Sequence, residues 1–112
     1  EKEEILVLDH YFRLRHSWGL PGGFIDHSEQ PASGIRREIR EETNLELEEI
    51  QLLQFRTINK HIEIIFKAKG TGEAQVSSGE IRELGWFSID SLPEMSSDQI
   101  EFVRSVLGEK NG

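Results

Sequence analysis

The segment Pro31 to Thr43 carries the strongest local instruction in the chain. Ala32, Ile35 and Ile39 recur three and four residues apart, the spacing that lines one face of an α-helix. Pro31 suits the first helical position, where its missing N–H costs nothing, and Asn44 suits the left-handed residue that ends a helix. Gly34 lowers helix propensity by about 1 kcal/mol relative to alanine, which predicts close packing at that turn. Away from the apolar stripe, Glu38, Glu41 and Glu42 stand at i, i+3 and i+4 and share a face. Neighbouring anions repel, so such a face is either plain solvated surface or a seat for hard divalent cations such as Mg²⁺. Arg37, one turn before Glu41, is placed to hold a carboxylate through a bidentate contact.

Around this helix the patterning predicts short strands and one further helix. Glu4 to Leu8 is an apolar run that reads as a buried strand, and Asp9 to Ser17 as a loop or irregular hairpin. Trp18 to Asp26 holds glycines and a proline among large apolar residues, the punctuation of a turn where backbone approaches something closely. Leu45 to Thr57 reads as a strand interrupted near Glu48 and Glu49. Ile62, Ile64, Phe66 and Ala68 alternate with other residues, which predicts a strand with one buried face, joined to its predecessor through Ile58-Asn59-Lys60 as a hairpin. Gly70 to Gly79 is a polar loop and Glu83 to Ser88 a last strand. A closing helix capped by Ser97 or Asp98 has Ile100, Val103 and Leu107 as its inner stripe. Trp18, Trp86 and Phe87 are expected in the core. This order predicts an α+β fold, a mixed sheet with helices on its faces, in one domain spanning residues 1–112.

Composition narrows the function classes. With no cysteine in 112 residues, disulfides, thiol catalysis and cysteine-ligated zinc are excluded, which fits a reducing compartment and a cytoplasmic location. A formal net charge of −8 argues against a protein that grips a nucleic-acid backbone, although bound cations can reverse the local field for a phosphorylated substrate. No apolar run approaches the roughly 18 residues of a membrane span. The chain begins at Glu1 without an initiator methionine, so it is expected to start inside a longer product.

The wider spacing is more specific than the acids alone: Gly23-x5-Glu29-x7-Arg37-Glu38-Ile39-x-Glu41-Glu42-x-Asn44-Leu45. It resembles the Nudix box, Gly-x5-Glu-x7-Arg-Glu-hydrophobic-x-Glu-Glu-x-Gly-hydrophobic. The fixed Gly, Arg and four Glu would align by chance with a probability of roughly 10⁻⁴ to 10⁻³ given this composition. Asn44 stands where the family has glycine and Gly34 where it usually has alanine; neither change touches the acids. The resemblance extends to Trp18-Gly19-Leu20-Pro21-Gly22-Gly23 before the box, and to Glu80–Phe87 and Ser91-Leu92-Pro93 after it. Family members usually have another strand before the one at Glu4, so the first sheet strand is expected to be absent from this sequence.

The resemblance implies a Nudix fold and hydrolysis of a pyrophosphate bond in a nucleoside diphosphate linked to another group. That group would be the sugar of ADP-ribose or a similar nucleotide sugar, or the further phosphate of a nucleoside triphosphate. It also implies Mg²⁺, with Mn²⁺ as a substitute. Glu41 and Glu42 are the implied principal ligands, Glu38 a further ligand or the general base, and the Gly22 carbonyl an additional ligand. Arg37 and Glu29 are implied orienters, and Gly23, Ile39, Asn44 and Leu45 the structural positions of the box. Glu80 in the late loop is the candidate for a further carboxylate acting on metal or water, with Glu83 behind it. His10, His16, His27 and His61 show no metal spacing. For assembly, the acidic surface leaves a homodimer open.

Two other classes compete. A Nudix-fold module that senses a nucleotide without hydrolysing it need not keep a full acidic cluster. A calcium-binding domain would place its acids in a ligand-rich loop instead of on a helix.

Overall fold

The computed structural model describes residues 4–11, 16–22, 28–58 and 60–108, the side chains of 58 and 61 excepted. In chain order the elements are β1 (Ile5–His10), β2 (Trp18–Gly19), α1 (Pro31–Thr43), β3 (Glu46–Ile58), β4 (His61–Thr71), β5 (Ile81–Phe87) and α2 (Ser97–Val103). A single π-helical turn, Arg104–Gly108, follows α2. The chain forms two compact units, residues 1–21 with 76–112, and residues 22–75.

In the first unit β1 lies between β2 and β5, antiparallel to both. The pairing of β1 with β2 is the irregular hairpin expected from the sequence, although Phe12 to Arg15 lie outside the described residues. Val7 and Leu8 are both fully buried, and since adjacent strand residues point to opposite faces, both faces of β1 are covered. Ile81, Met95 and Val103 complete this unit's buried apolar set. The Trp18 ring meets Phe87 edge-on, centroids 5.6 Å apart. Gly85 faces the same packing: a β-carbon there would sit 2.9 Å from the Phe87 ring, so a larger residue would have to displace that ring. Trp86, expected in the core, is 42% exposed.

The closing helix starts one residue earlier than expected. Ser96, not Ser97 or Asp98, is the cap: its hydroxyl accepts from the Gln99 amide. Gln99 then accepts from the Leu20 amide through its side chain, tying the end of β2 to α2. Only Val103 of the expected stripe is deeply buried, and the helix widens to the π-turn immediately after it.

In the second unit α1 has the predicted bounds, and Ile39 and Gly34 are buried against its neighbours. Asn44 takes φ 66°, the left-handed cap, and donates its amide to the Arg40 carbonyl. Thr43, fully buried, donates its hydroxyl to the Ile39 carbonyl at 2.7 Å and accepts from the Leu45 amide. That local clamp turns the chain directly into β3.

β3 and β4 form an antiparallel two-stranded ribbon. The interruption expected at Glu48–Glu49 is a bulge: the register slips between Glu48 and Gln51, with Glu49 at φ 55°. A second slip lies between Leu52 and Gln54. β4 forms as one continuous strand, but the burial predicted for one of its faces does not appear. Ile62 is 70% exposed, and Leu52 and Phe55 on β3 are 53% and 67% exposed. Period two assigns residues to faces, and it carries no information about what covers a face. All described ladders are antiparallel within an α+β fold.

Candidate active site

The acids of α1 are organised around one cation, Arg37. Its guanidinium grips Glu29 with two parallel hydrogen bonds, Nε to Oε2 at 2.8 Å and Nη2 to Oε1 at 3.1 Å. Such fork-to-fork pairing fixes both distance and plane. Nη1 of the same group donates to Glu38 Oε2 and to Glu41 Oε1, each at 3.3 Å. Sequence spacing left open which carboxylate Arg37 holds; the structure gives the bidentate place to Glu29, eight residues upstream. Ser28, just before it, adopts φ 69°, a left-handed conformation uncommon for a residue other than glycine. Glu29 is thereby ordered against the helix by a partner that no local periodicity identifies.

Burial grades the carboxylates. The Glu41 side chain is 59% exposed and that of Glu38 19%, while Glu42 as a residue is only 6% exposed. A carboxylate removed from water on a face that is otherwise negative is costly unless a cation compensates it. The donor set, three hard carboxylate oxygens on one helical face, fits a hard divalent ion in its chemistry. In the conformation described, no three acids or histidines among the described residues converge on one point. Glu38 and Glu41 turn instead toward Arg37. Mg²⁺ retains several waters and needs only one or two carboxylates, so convergence of three is not a requirement.

Gly22 is described and partly buried, and a β-carbon built on it would meet no heavy atom within 4 Å. Gly23 lies outside the described residues. Leu45 is 1% exposed and Ile39 4%, so these box positions act as packing anchors. Glu80 is exposed and belongs to the first unit. Its amide donates to the Ser78 hydroxyl at 3.1 Å and its carbonyl accepts from the Tyr11 amide. Glu83 is an exposed β5 residue paired with Asp9. The Nδ1 of His10 lies 3.1 Å from the Ser17 carbonyl, a structural contact.

Sequence reasoning missed the second clamp on the helix. Arg40 binds Glu46 through two hydrogen bonds of 2.7 Å, and Arg36 donates to the Leu47 carbonyl at 2.8 Å. Hydrogen bonding to Arg40 holds the Glu46 carboxyl below the usual carboxylate range. The signal was present as arginines on α1 beside the acid that opens β3, but a spacing of six residues across a helix end belongs to no periodic template.

These features place the chain in a known family. Residues 1–106 match the NUDIX domain model, and the chain belongs to the Nudix family. Its fold superimposes on the MutT NUDIX hydrolase of Burkholderia pseudomallei with a TM-score of 0.81 at 28% identity, over 95% of this chain and 90% of that one. A MutT-like protein of Streptomyces ambofaciens is 29% identical over 73% of this chain and 54% of its own length. The ADP-ribose pyrophosphatase of Methanocaldococcus jannaschii is 29% identical over 85% of this chain and 60% of its own. The chain thus spans somewhat over half the length of these two curated relatives. No helix among the described residues is long and apolar enough to cross a membrane.

Proposed function

We propose that this chain is a divalent-metal-dependent pyrophosphohydrolase acting on a nucleoside diphosphate linked to another group, with a nucleotide sugar of the ADP-ribose type as the preferred substrate class. The observation that carries this reading is the ordered acid cluster of α1: Glu42 buried, with Glu29, Glu38 and Glu41 held by one arginine beside it. An acidic surface needing only solubility would not commit a guanidinium to three carboxylates. The name of the Methanocaldococcus relative supports the substrate class.

Glu42 and Glu41 would hold the ion, with Glu38 as a further ligand or the base and the Gly22 carbonyl as an additional donor. Mg²⁺ is the proposed ion and Mn²⁺ its substitute. When bound, the ion would neutralise the pyrophosphate and acidify its attacking water. The protein's own work is positioning. Arg37 keeps Glu29 fixed and offsets part of the charge of Glu38 and Glu41, and a bound divalent ion would offset more of it. Burial keeps the Glu42 side chain within a narrow range of positions. Glu80 is carried over from the resemblance alone, as the carboxylate that positions water.

Replacing Glu42 by Gln removes a ligand while preserving shape. Turnover of ADP-ribose with Mg²⁺ is expected to fall at least about 100-fold, with the circular dichroism spectrum unchanged. Wild-type-like activity in the folded variant would remove Glu42 from the site. Nucleotide binding by the wild-type chain without any product after long incubation with metal would favour a sensing module instead.

A further inference from the structure

Glu41 and Glu42 sit at the end of α1 least suited to carboxylates. The last turn of a helix carries the negative end of its dipole, and its final carbonyls have no intrahelical donor. Glu38, one turn back, adds like-charge repulsion with both acids. Left to itself such a turn frays, and its side chains lose a fixed direction. Arg40 is the basic residue of that turn, and its guanidinium is committed to Glu46 on β3. The acids therefore need their backbone held from another side.

Thr43 holds it from the buried side. The residue is wholly buried, its hydroxyl donates to the Ile39 carbonyl at 2.7 Å and accepts from the Leu45 amide at 3.3 Å. Its own carbonyl accepts from the Gln75 amide at 2.9 Å, so the last turn is also tied to the segment after β4. The hydroxyl bond spans residues 39 to 43 and encloses Arg40, Glu41 and Glu42. Packing alone does not call for a threonine here, because valine has the same branched shape without a hydroxyl to satisfy. Helix stability does not call for it either, since a hydroxyl bonded to the carbonyl four residues back weakens and bends a helix. We infer that Thr43 is a positioning residue for the proposed metal site: its hydroxyl fixes the last turn of α1, so that Glu41 and Glu42 keep their direction before an ion arrives. The inference rests on the reading of those two acids as principal ligands. Thr43 touches neither ion nor substrate and acts through the backbone of residues 40–42.

Manganese uptake tests this without turnover. Mn²⁺ titrated into the metal-free full-length protein, with the free ion followed by electron paramagnetic resonance, gives an affinity for each variant. Thr43→Val removes the hydroxyl and keeps the branched shape; Mn²⁺ affinity should fall by about tenfold. Thr43→Ser keeps the hydroxyl and loses the methyl group. Its affinity should stay within about threefold of wild type although its urea midpoint falls. Thr43→Ala differs from Thr43→Ser by the hydroxyl alone. It should bind as weakly as Thr43→Val, and it carries the comparison if the valine variant does not fold. Affinity that follows the hydroxyl supports the inference. Equal affinity in wild type and the hydroxyl-free variants overturns it and leaves the ligand assignment standing, as does a loss that follows the urea midpoints in place of the hydroxyl. A wild-type protein that takes up no Mn²⁺ removes the metal site itself, and this inference with it.

Discussion

Helix α1 and the β3–β4 ribbon belong to the same compact unit, and each is amphipathic in sequence, yet they use their apolar faces differently. Ile39 of α1 is 4% exposed, whereas Ile62 of β4 is 70% exposed. In α1 the pattern, the C-terminal cap and the clamps are satisfied by residues close in sequence, from Glu29 and Arg37 to Thr43, Asn44 and Glu46. In the ribbon the ladder, the Thr71–Glu46 hydrogen bond and the Arg56–Glu63 pair are local, while Leu52, Phe55 and Ile62 are exposed. Amphipathicity therefore has two outcomes in this chain. On α1 it anchors a support for acids; on the ribbon it leaves apolar side chains at the surface.

Substitutions can break or sharpen that contrast. The largest effect on stability is expected at Ile39, where truncation to alanine leaves a cavity beneath the acid-bearing face. Urea denaturation should show a loss of about 2–5 kcal/mol. A loss below about 1 kcal/mol would mean that α1 is not anchored as its burial indicates. Asn44→Val comes next, because a β-branched residue at φ 66° is strained; a cost of about 1–2 kcal/mol is expected, with Asn44→Gly close to neutral. Ile62→Ala should change stability by no more than about 0.5 kcal/mol at concentrations where the chain is monomeric. A larger loss there would erase the contrast and show that the ribbon's face is covered within one chain.

The smallest effect concerns the clamp that joins α1 to β3. The folded-state pKa of Glu46 is lowered, chiefly by its hydrogen bond to Arg40, so its contribution is present above the ordinary carboxylate range. It is lost as pH falls through the lowered value. The difference in urea midpoint between wild type and Glu46→Gln should accordingly be small near neutrality and vanish in acid. A difference that persists at low pH would assign the effect to packing instead of charge.

The acid cluster shows how far a sequence carries a site. Glu38, Glu41 and Glu42 share a face because the helix repeat puts them there, and the residue order alone is enough to read that. Their differing burial is not legible in the same way, since a helical repeat does not say what covers each position. Arg37 was legible as an orienter, but its grip on Glu29 depends on the turn at Ser28 that brings residue 29 back to the helix. Gly22 was read as a ligand from the resemblance, and its role stays a proposal.

By itself the sequence determined the bounds of α1, its left-handed stop at Asn44, the interruption in β3 and the face that carries the acids. Each follows from short-range sterics and from hydrogen bonds that close within a turn or two. Tertiary structure alone decided that Arg37 takes Glu29, that Ser96 caps the last helix, that Trp86 lies outward and that Ile62 meets solvent. These depend on which segments meet in space, and a periodic pattern names the face of an element without naming its neighbour.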